Sequence, residues 1–340
     1  MTRQPETSQA RSADIVDFPA ARARAEIGTQ RSTRRLVLTP RYGNGPRDVD
    51  VRYLWCGAAD APTVAVLGGI SANRDVTSVD ESAEPGWWQS LVSAGGGVDL
   101  EHYRILAIDW LVPTDLDACA VSSDDQADAL AALMKALGIA KLHAFVGASY
   151  GAMTALAFAR RHPGLLGRMV LLAGAHRAHP LSTAQRSVQR GIVRLGQATG
   201  QVDQALSLSR QLAMTTYRGS AEFGRRFGGE PTWQGDRFQF PVEAYLEHAG
   251  QRFVARFDAD RFLALSESID LHDVPPEQVS TPATLIGFPS DRLVPLADLC
   301  ELQRRLRGPA TLEVVESPYG HDAFLKEPEQ LVPLLRQALR

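Results

Sequence analysis

The chain has little cysteine and little net charge. Its three cysteines, Cys56, Cys119 and Cys300, lie far apart with no C-x-x-C pair. This excludes a disulfide scaffold and a cysteine-based metal centre, and so sparse and odd a set fits a reducing compartment. No two histidines have zinc-ligand spacing on a helix, so no metal is expected. No apolar run approaches the length of a membrane span. A net charge of −3 gives no reason to expect nucleic acid or an anionic membrane as partner. The first residues carry charge from Arg3 onwards and lack an apolar core, which argues against a secretory signal, and their Glu and Asp argue against a mitochondrial one. The expected location is cytoplasmic. No internal repeat or low-complexity block is present.

What remains is the composition of a globular protein, 44% apolar over 340 residues, enough for one large α/β domain with an insertion or for two small domains. Residues 1–35 lack sustained periodicity and read as a disordered extension. Strands are predicted at 36–39 and 49–56, the second alternating as an antiparallel strand with one wet face. Buried strands follow at 63–67 and 103–110, and then a helix from the Ser123-Asp124-Asp125 cap to about Leu137, ended by Gly138.

The most informative stretch is 142–153, LHAFVGASYGAM. An apolar run long enough for a buried strand leads into Gly147-Ala-Ser149-Tyr150-Gly151, and 152–160 reads as helix. Strand, G-x-S-x-G and helix in that order form a nucleophile elbow, which makes the expected fold an α/β-hydrolase fold with a mostly parallel central sheet. A strand at 169–172 follows, after which the strand–helix rhythm stops. Residues 176–273 carry helical stretches and no convincing parallel strand, and read as a helical cap. Alternation resumes with a strand at 284–288, a helix from Ala297, a strand at 311–315 and a closing helix from Glu327. The core is therefore expected at 36–175 and 274–340.

A serine nucleophile needs a base, and the base an orienting carboxylate, in the chain order Ser, acid, His for this fold. Asp291 follows the strand at 284–288, and His321 is the one histidine of eight that follows a late strand. Asp322 is adjacent to the base and cannot readily reach under the same ring, so it is free to face the substrate. His143 reads as a packed strand residue, and His176 and His179 as loop residues at the start of the cap. Gly68-Gly69-Ile70 after the strand at 63–67 can turn backbone amides towards a ligand. The amides of Gly69 and Ile70, with that of Tyr150, are the expected oxyanion hole.

These residues resemble the MetX-type homoserine O-acyltransferases. The likeness rests on GHDAFL (320–325), GASYGAM (147–153), Thr216-Tyr217-Arg218, 242–246 and 262–270, and spans about 51–340. It implies a Ser149–Asp291–His321 triad and a ping-pong transfer from acyl-CoA to L-homoserine in methionine biosynthesis. It also implies that Arg210, seven residues before Tyr217, binds the homoserine carboxylate, that Tyr217 lies beside the substrate, and that Asp322 binds the amine. The expected partners are these small molecules and a second copy of the chain in a homodimer, with no cofactor beyond the co-substrate. Two stretches depart from the family pattern: 111–119 is shorter and lacks a G-S-T-G-P loop, and LGGISANR stands where H-A-L-T-G is commoner. The donor stays open between succinyl-CoA and acetyl-CoA, and Arg74, close in sequence to the oxyanion segment, leans the reading to succinyl. A carboxylesterase or lipase using water as acceptor is the competing enzyme, and a non-catalytic binding protein on the same fold is the alternative outside catalysis. A dehalogenase or epoxide hydrolase would need aspartate at 149.

Overall fold

The structure, a computed structural model, describes residues 27–80 and 84–340. Eight strands form one sheet: β1 (Ile27–Leu38), β2 (Arg47–Ala58), β3 (Thr63–Leu67), β4 (Arg104–Ile108), β5 (Ala144–Ala148), β6 (Met169–Leu172), β7 (Ala283–Gly287) and β8 (Ala310–Val314). They lie in the order β1-β2-β4-β3-β5-β6-β7-β8. β2 runs antiparallel to both of its neighbours, and every pair from β4 to β8 is parallel. In β3, β5 and β6 nearly every side chain is buried, which is why these strands read in the sequence as continuous apolar runs rather than as alternation.

The extension expected over 1–35 is corrected at its end. Residues up to 26 lie outside the described residues, but Ile27 onward is strand, paired with β2 along its whole length from Ile27 opposite Ala58 to Leu38 opposite Arg47. Most of β1 faces solvent, so it carries no hydrophobic pattern and is held through its backbone. The elbow strand is also shifted: β5 starts at Ala144 rather than 142 and runs through Gly147 and Ala148 to the residue before the serine.

Helices α1 (Ser123–Ala136) and α2 (Tyr150–Arg161) pack on each other and on the sheet. Ser122 rather than Ser123 caps α1, in a capping box with Asp125. Asp124, buried in the first turn of α1, accepts two hydrogen bonds from Arg160 of α2 at 2.6 and 2.7 Å. That pair ties α1 to the helix that begins beside Ser149. Between β6 and β7 come α3 (Pro180–Thr199), α4 (Val202–Tyr217), α5 (Ser220–Phe227), α6 (Pro241–Val254) and α7 (Ala259–Asp270), with a short hairpin between α5 and α6. α8 (Leu296–Arg305) and α9 (Pro328–Leu339) complete the layers on the sheet. The segments leaving the carboxyl ends of β3, β5, β7 and β8 converge beneath the inserted helices.

Candidate active site

Ser149 sits at the turn from β5 into α2 with φ 56° and ψ −117°, a conformation that costs a non-glycine residue on the order of 1–3 kcal/mol. Its neighbours must be bare for the turn to close. A Cβ on Gly147 would collide with the carbonyl of Gly151, and one on Gly151 with the carbonyl of Leu67 at the end of β3. Hydrogen bonds fix the turn from both sides: Ser149 N–H donates to Leu172 O and Gly151 N–H to Gly68 O, each at 2.8 Å.

Ser149 Oγ lies 2.8 Å from His321 Nε2, and His321 Nδ1 lies 2.7 Å from Asp291 Oδ2. The other oxygen of Asp291 accepts from the amides of Leu293 and Val294 at 2.8 and 3.1 Å, so the carboxylate is fixed by its own loop. Gly320, at φ 60°, leads into His321 where the Tyr217 carbonyl leaves no space for a side chain. The structure thus joins the three residues that the sequence placed after β5, β7 and β8. Burial pulls the His321 imidazole down, but the adjoining Asp291 carboxylate, with Asp322 behind it, outweighs burial and the net direction is up. Neutral His321 can take the serine proton, and the imidazolium so formed is stabilised by Asp291.

Gly69 lies directly over the serine, since a Cβ there would be 3.8 Å from both Ser149 Cβ and Oγ. Trp110 Nε1–H donates to Gly69 O at 3.0 Å and Ala72 N–H donates to the same carbonyl at 2.9 Å, so that oxygen is turned away from the serine. The amides of Gly69, Ile70 and Tyr150 have no acceptor among the described residues. The Tyr150 side chain points the other way, buried against Trp110 with its hydroxyl 2.5 Å from Ser268 Oγ.

These groups open into a cavity of about 210 Å³ walled by the cap. Arg210, Tyr217 and Asp322, the residues to which the resemblance gives contacts with the amino acid, line it. The Arg210 guanidinium packs over the rings of Tyr217 and Phe253 at 5.2 and 4.9 Å and has no carboxylate or hydrogen-bond partner among the described residues. Asp322 faces the cavity rather than the His321 ring, as expected, but it is paired there: Arg218 Nε stands 3.0 Å from its Oδ2. The N–H direction misses that oxygen, so the contact is an ion pair without a hydrogen bond. Arg218 also bridges to buried Glu222 at 3.2 Å. Burial raises the Asp322 carboxyl above the usual range despite Arg218, His321 and Arg210.

Arg74 is a correction. It does not line the cavity; its amide donates to Asp109 Oδ1 at 2.9 Å, and its guanidinium turns to the same carboxylate at 3.9 Å. The hydrogen bond to the end of β4 turns this loop away from the acyl site. The cation the sequence reading missed is Arg186 of α3, which lines the cavity. Arg186 and Arg190 share one carboxylate, Asp270, at 2.6 Å each, which leaves one positive charge in excess on this wall. Burial raises the Asp270 carboxyl, but Arg186, Thr183 and Arg190 outweigh it and hold it low. A signal was available, since Ser182, Arg186, Gln189 and Arg190 are polar on the inward face of α3 where a core helix would be apolar.

A serine, a histidine and an aspartate in hydrogen-bond sequence, beneath the inserted helices and beside idle amides, form the arrangement that acyl transfer requires, on an alpha/beta hydrolase fold. The family model of that description matches residues 62–328. The chain is 46% identical over 306 residues to a homoserine O-succinyltransferase of Xanthomonas campestris pv. campestris, covering 90% of this chain and 83% of that protein. It is 33% identical over 324 residues to an L-serine/homoserine O-acetyltransferase of Streptomyces lavendulae, covering 81% and 87%. A crystal structure of a homoserine O-acetyltransferase from Bacillus anthracis superposes with a TM-score of 0.83 at 18% identity, covering 92% of this chain and 98% of that one, and shows the shared fold. The chain belongs to the homoserine and serine O-acyltransferases of the alpha/beta hydrolase fold.

The imidazole gives a direct check on the site. In the wild type, the His321 ring should titrate above the ordinary 6.5 by nitrogen-15 NMR. In Asp291→Asn the main upward influence is lost and burial should carry it below that value. A wild-type value below 6.5, or one that Asp291→Asn leaves unmoved, contradicts the assigned contact.

Proposed function

We propose that this enzyme transfers the succinyl group of succinyl-CoA to the hydroxyl of L-homoserine, with Ser149, His321 and Asp291 as its catalytic triad. The observation that carries the reading is the His321 relay to Ser149 inside a cap cavity that holds two arginines, Arg186 and Arg210, on different helices. The 46% identical homoserine O-succinyltransferase supports the same choice of donor and acceptor.

In the first half-reaction His321 Nε2 takes the Ser149 proton while Oγ attacks the thioester carbonyl. The oxyanion is met by the amide of Tyr150 and by that of Gly69 or Ile70, each such donor contributing about 3–4 kcal/mol. The C–S bond breaks, the thiolate takes the proton from His321, and CoA leaves an ester on Ser149. In the second half the homoserine hydroxyl gives its proton to His321 and attacks that ester. The C–Oγ bond breaks, Ser149 regains the proton, and O-succinyl-homoserine departs. The amino acid presents a carboxylate to Arg210 and an ammonium to Asp322, whose raised carboxyl is more readily ionised with a cation beside it. Arg218 holds Asp322 in position for that contact. Arg186, with the excess charge of its cluster, meets the distal carboxylate of the succinyl chain, the role the sequence reading had given to Arg74. A cap serves this chemistry because water at the acyl-serine would divert each turnover to hydrolysis.

The expected homodimer has support on the cap. Leu181, Val188 and Leu195 of α3 are exposed at seven-residue spacing, with Leu208 of α4 also exposed. A second copy presenting the same faces would cover a stripe of this length by helix packing.

Two measurements test these readings. Thiol release should be fast only with succinyl-CoA and L-homoserine together, and Arg186→Leu should lower kcat/KM for succinyl-CoA by about 100-fold while changing that for acetyl-CoA little, in the range for a lost arginine–carboxylate pair. Equal rates with and without L-homoserine would make the protein an esterase, and a wild-type acetyl preference would remove the role of Arg186. Sedimentation equilibrium should give a dimer that Val188→Asp with Leu195→Asp converts to monomer; a monomeric wild type overturns the dimer.

A further inference from the structure

A second cavity of about 370 Å³ lies beside the first and shares Ser71 and Arg210 with it. Its wall is one face of α6 and the segment after it, with Tyr245, His248, Arg252 and Arg256 at helical spacing. Arg218 closes the inner side, and Phe253 and Phe257 add apolar surface, their rings stacked 4.9 Å apart. No carboxylate among the described residues lines it.

The charges here are not spent within the fold. Arg252 and Arg256 make no side-chain hydrogen bond or ion pair among the described residues, and Arg210 touches only aromatic rings. One polar group in the wall is also buried and without any partner among the described residues, Tyr245 Oη. A buried polar group left unpaired costs about 1–3 kcal/mol, so this hydroxyl, beside arginines that have no counter-charge, points to an acceptor supplied from outside the chain. Several guanidinia converging without a counter-charge suit an anion with many oxygens better than a single carboxylate.

We propose that this basic chamber binds the phosphate-bearing nucleotide end of the acyl-CoA donor, and that the pantetheine arm passes Ser71 and Arg210 to bring the thioester to Ser149. The inference rests on the reading that the donor is a CoA thioester, and adds where its charged end is held.

The test is calorimetric binding of free coenzyme A and of pantetheine, which lacks the phosphates, to the wild type and to Arg252→Gln with Arg256→Gln. The wild type should bind coenzyme A much more tightly than pantetheine. The double variant should weaken coenzyme A by about tenfold or more, two charge-assisted contacts being lost, and the preference over pantetheine should shrink by the same factor. Its KM for acyl-CoA should rise in step, with kcat within about twofold. Tyr245→Phe, which keeps the ring, should weaken coenzyme A several-fold, and this variant decides the matter if the double variant does not fold. Coenzyme A affinity unchanged in both variants overturns the chamber while leaving the acyltransferase reading intact. A wild type that binds no coenzyme A overturns both.

Discussion

The molecule is built around a serine held where a serine does not relax. With φ at 56°, Ser149 keeps its Oγ out of the strand and clear of the helix, 2.8 Å from the imidazole. That posture needs β5 to run to residue 148, α2 to start at 150, and β3 to lie so close that Gly151 touches the Leu67 carbonyl. The buried parallel strands and the Asp124–Arg160 tie between α1 and α2 are what over-determine it. The same closeness brings Gly69 over Ser149, so one packing constraint positions both the serine oxygen and the amides proposed to receive the charge.

Around this rigid centre the cap distributes charge unevenly. Asp270 is shared by two arginines and Arg210 has no carboxylate, while Arg218 and Arg226 are balanced by Asp322 and Glu222. Each imbalance faces a cavity. A fold selected for stability alone would pair these groups or replace them with apolar ones, because buried charge is costly unless compensated. The excess is what the proposed contacts draw on: a zwitterion at Arg210 and Asp322, a carboxylate at Arg186, and a polyanion further along α6.

The core was legible because its signals are local. G-x-S-x-G between an apolar run and a helix, and an acid and a histidine each placed just after a late strand, depend on a few consecutive residues and on a fixed chain order. Strand β1 was not legible before residue 36, since a strand paired through its backbone with both faces largely wet leaves no alternation to read. Arg74 and Arg186 show the limit for side chains. Nearness in sequence to the oxyanion segment favoured Arg74, but one hydrogen bond from its amide to Asp109 redirects the loop. Arg186 reaches the cavity only because α3 folds back over the sheet, and the pairing of Arg218 with Asp322 joins the end of α4 to the turn after β8. Contacts between distant segments of this kind have no local pattern.

The central claim is that Ser149 carries the acyl group between donor and acceptor. Rapid-quench mass spectrometry after mixing the enzyme with succinyl-CoA alone tests it most directly. The account predicts a succinyl ester on the peptide containing Ser149, absent from Ser149→Ala and discharged by L-homoserine much faster than by buffer. Product formation with no adduct at Ser149 on the time scale of turnover, or an adduct on another residue that L-homoserine discharges, would contradict it.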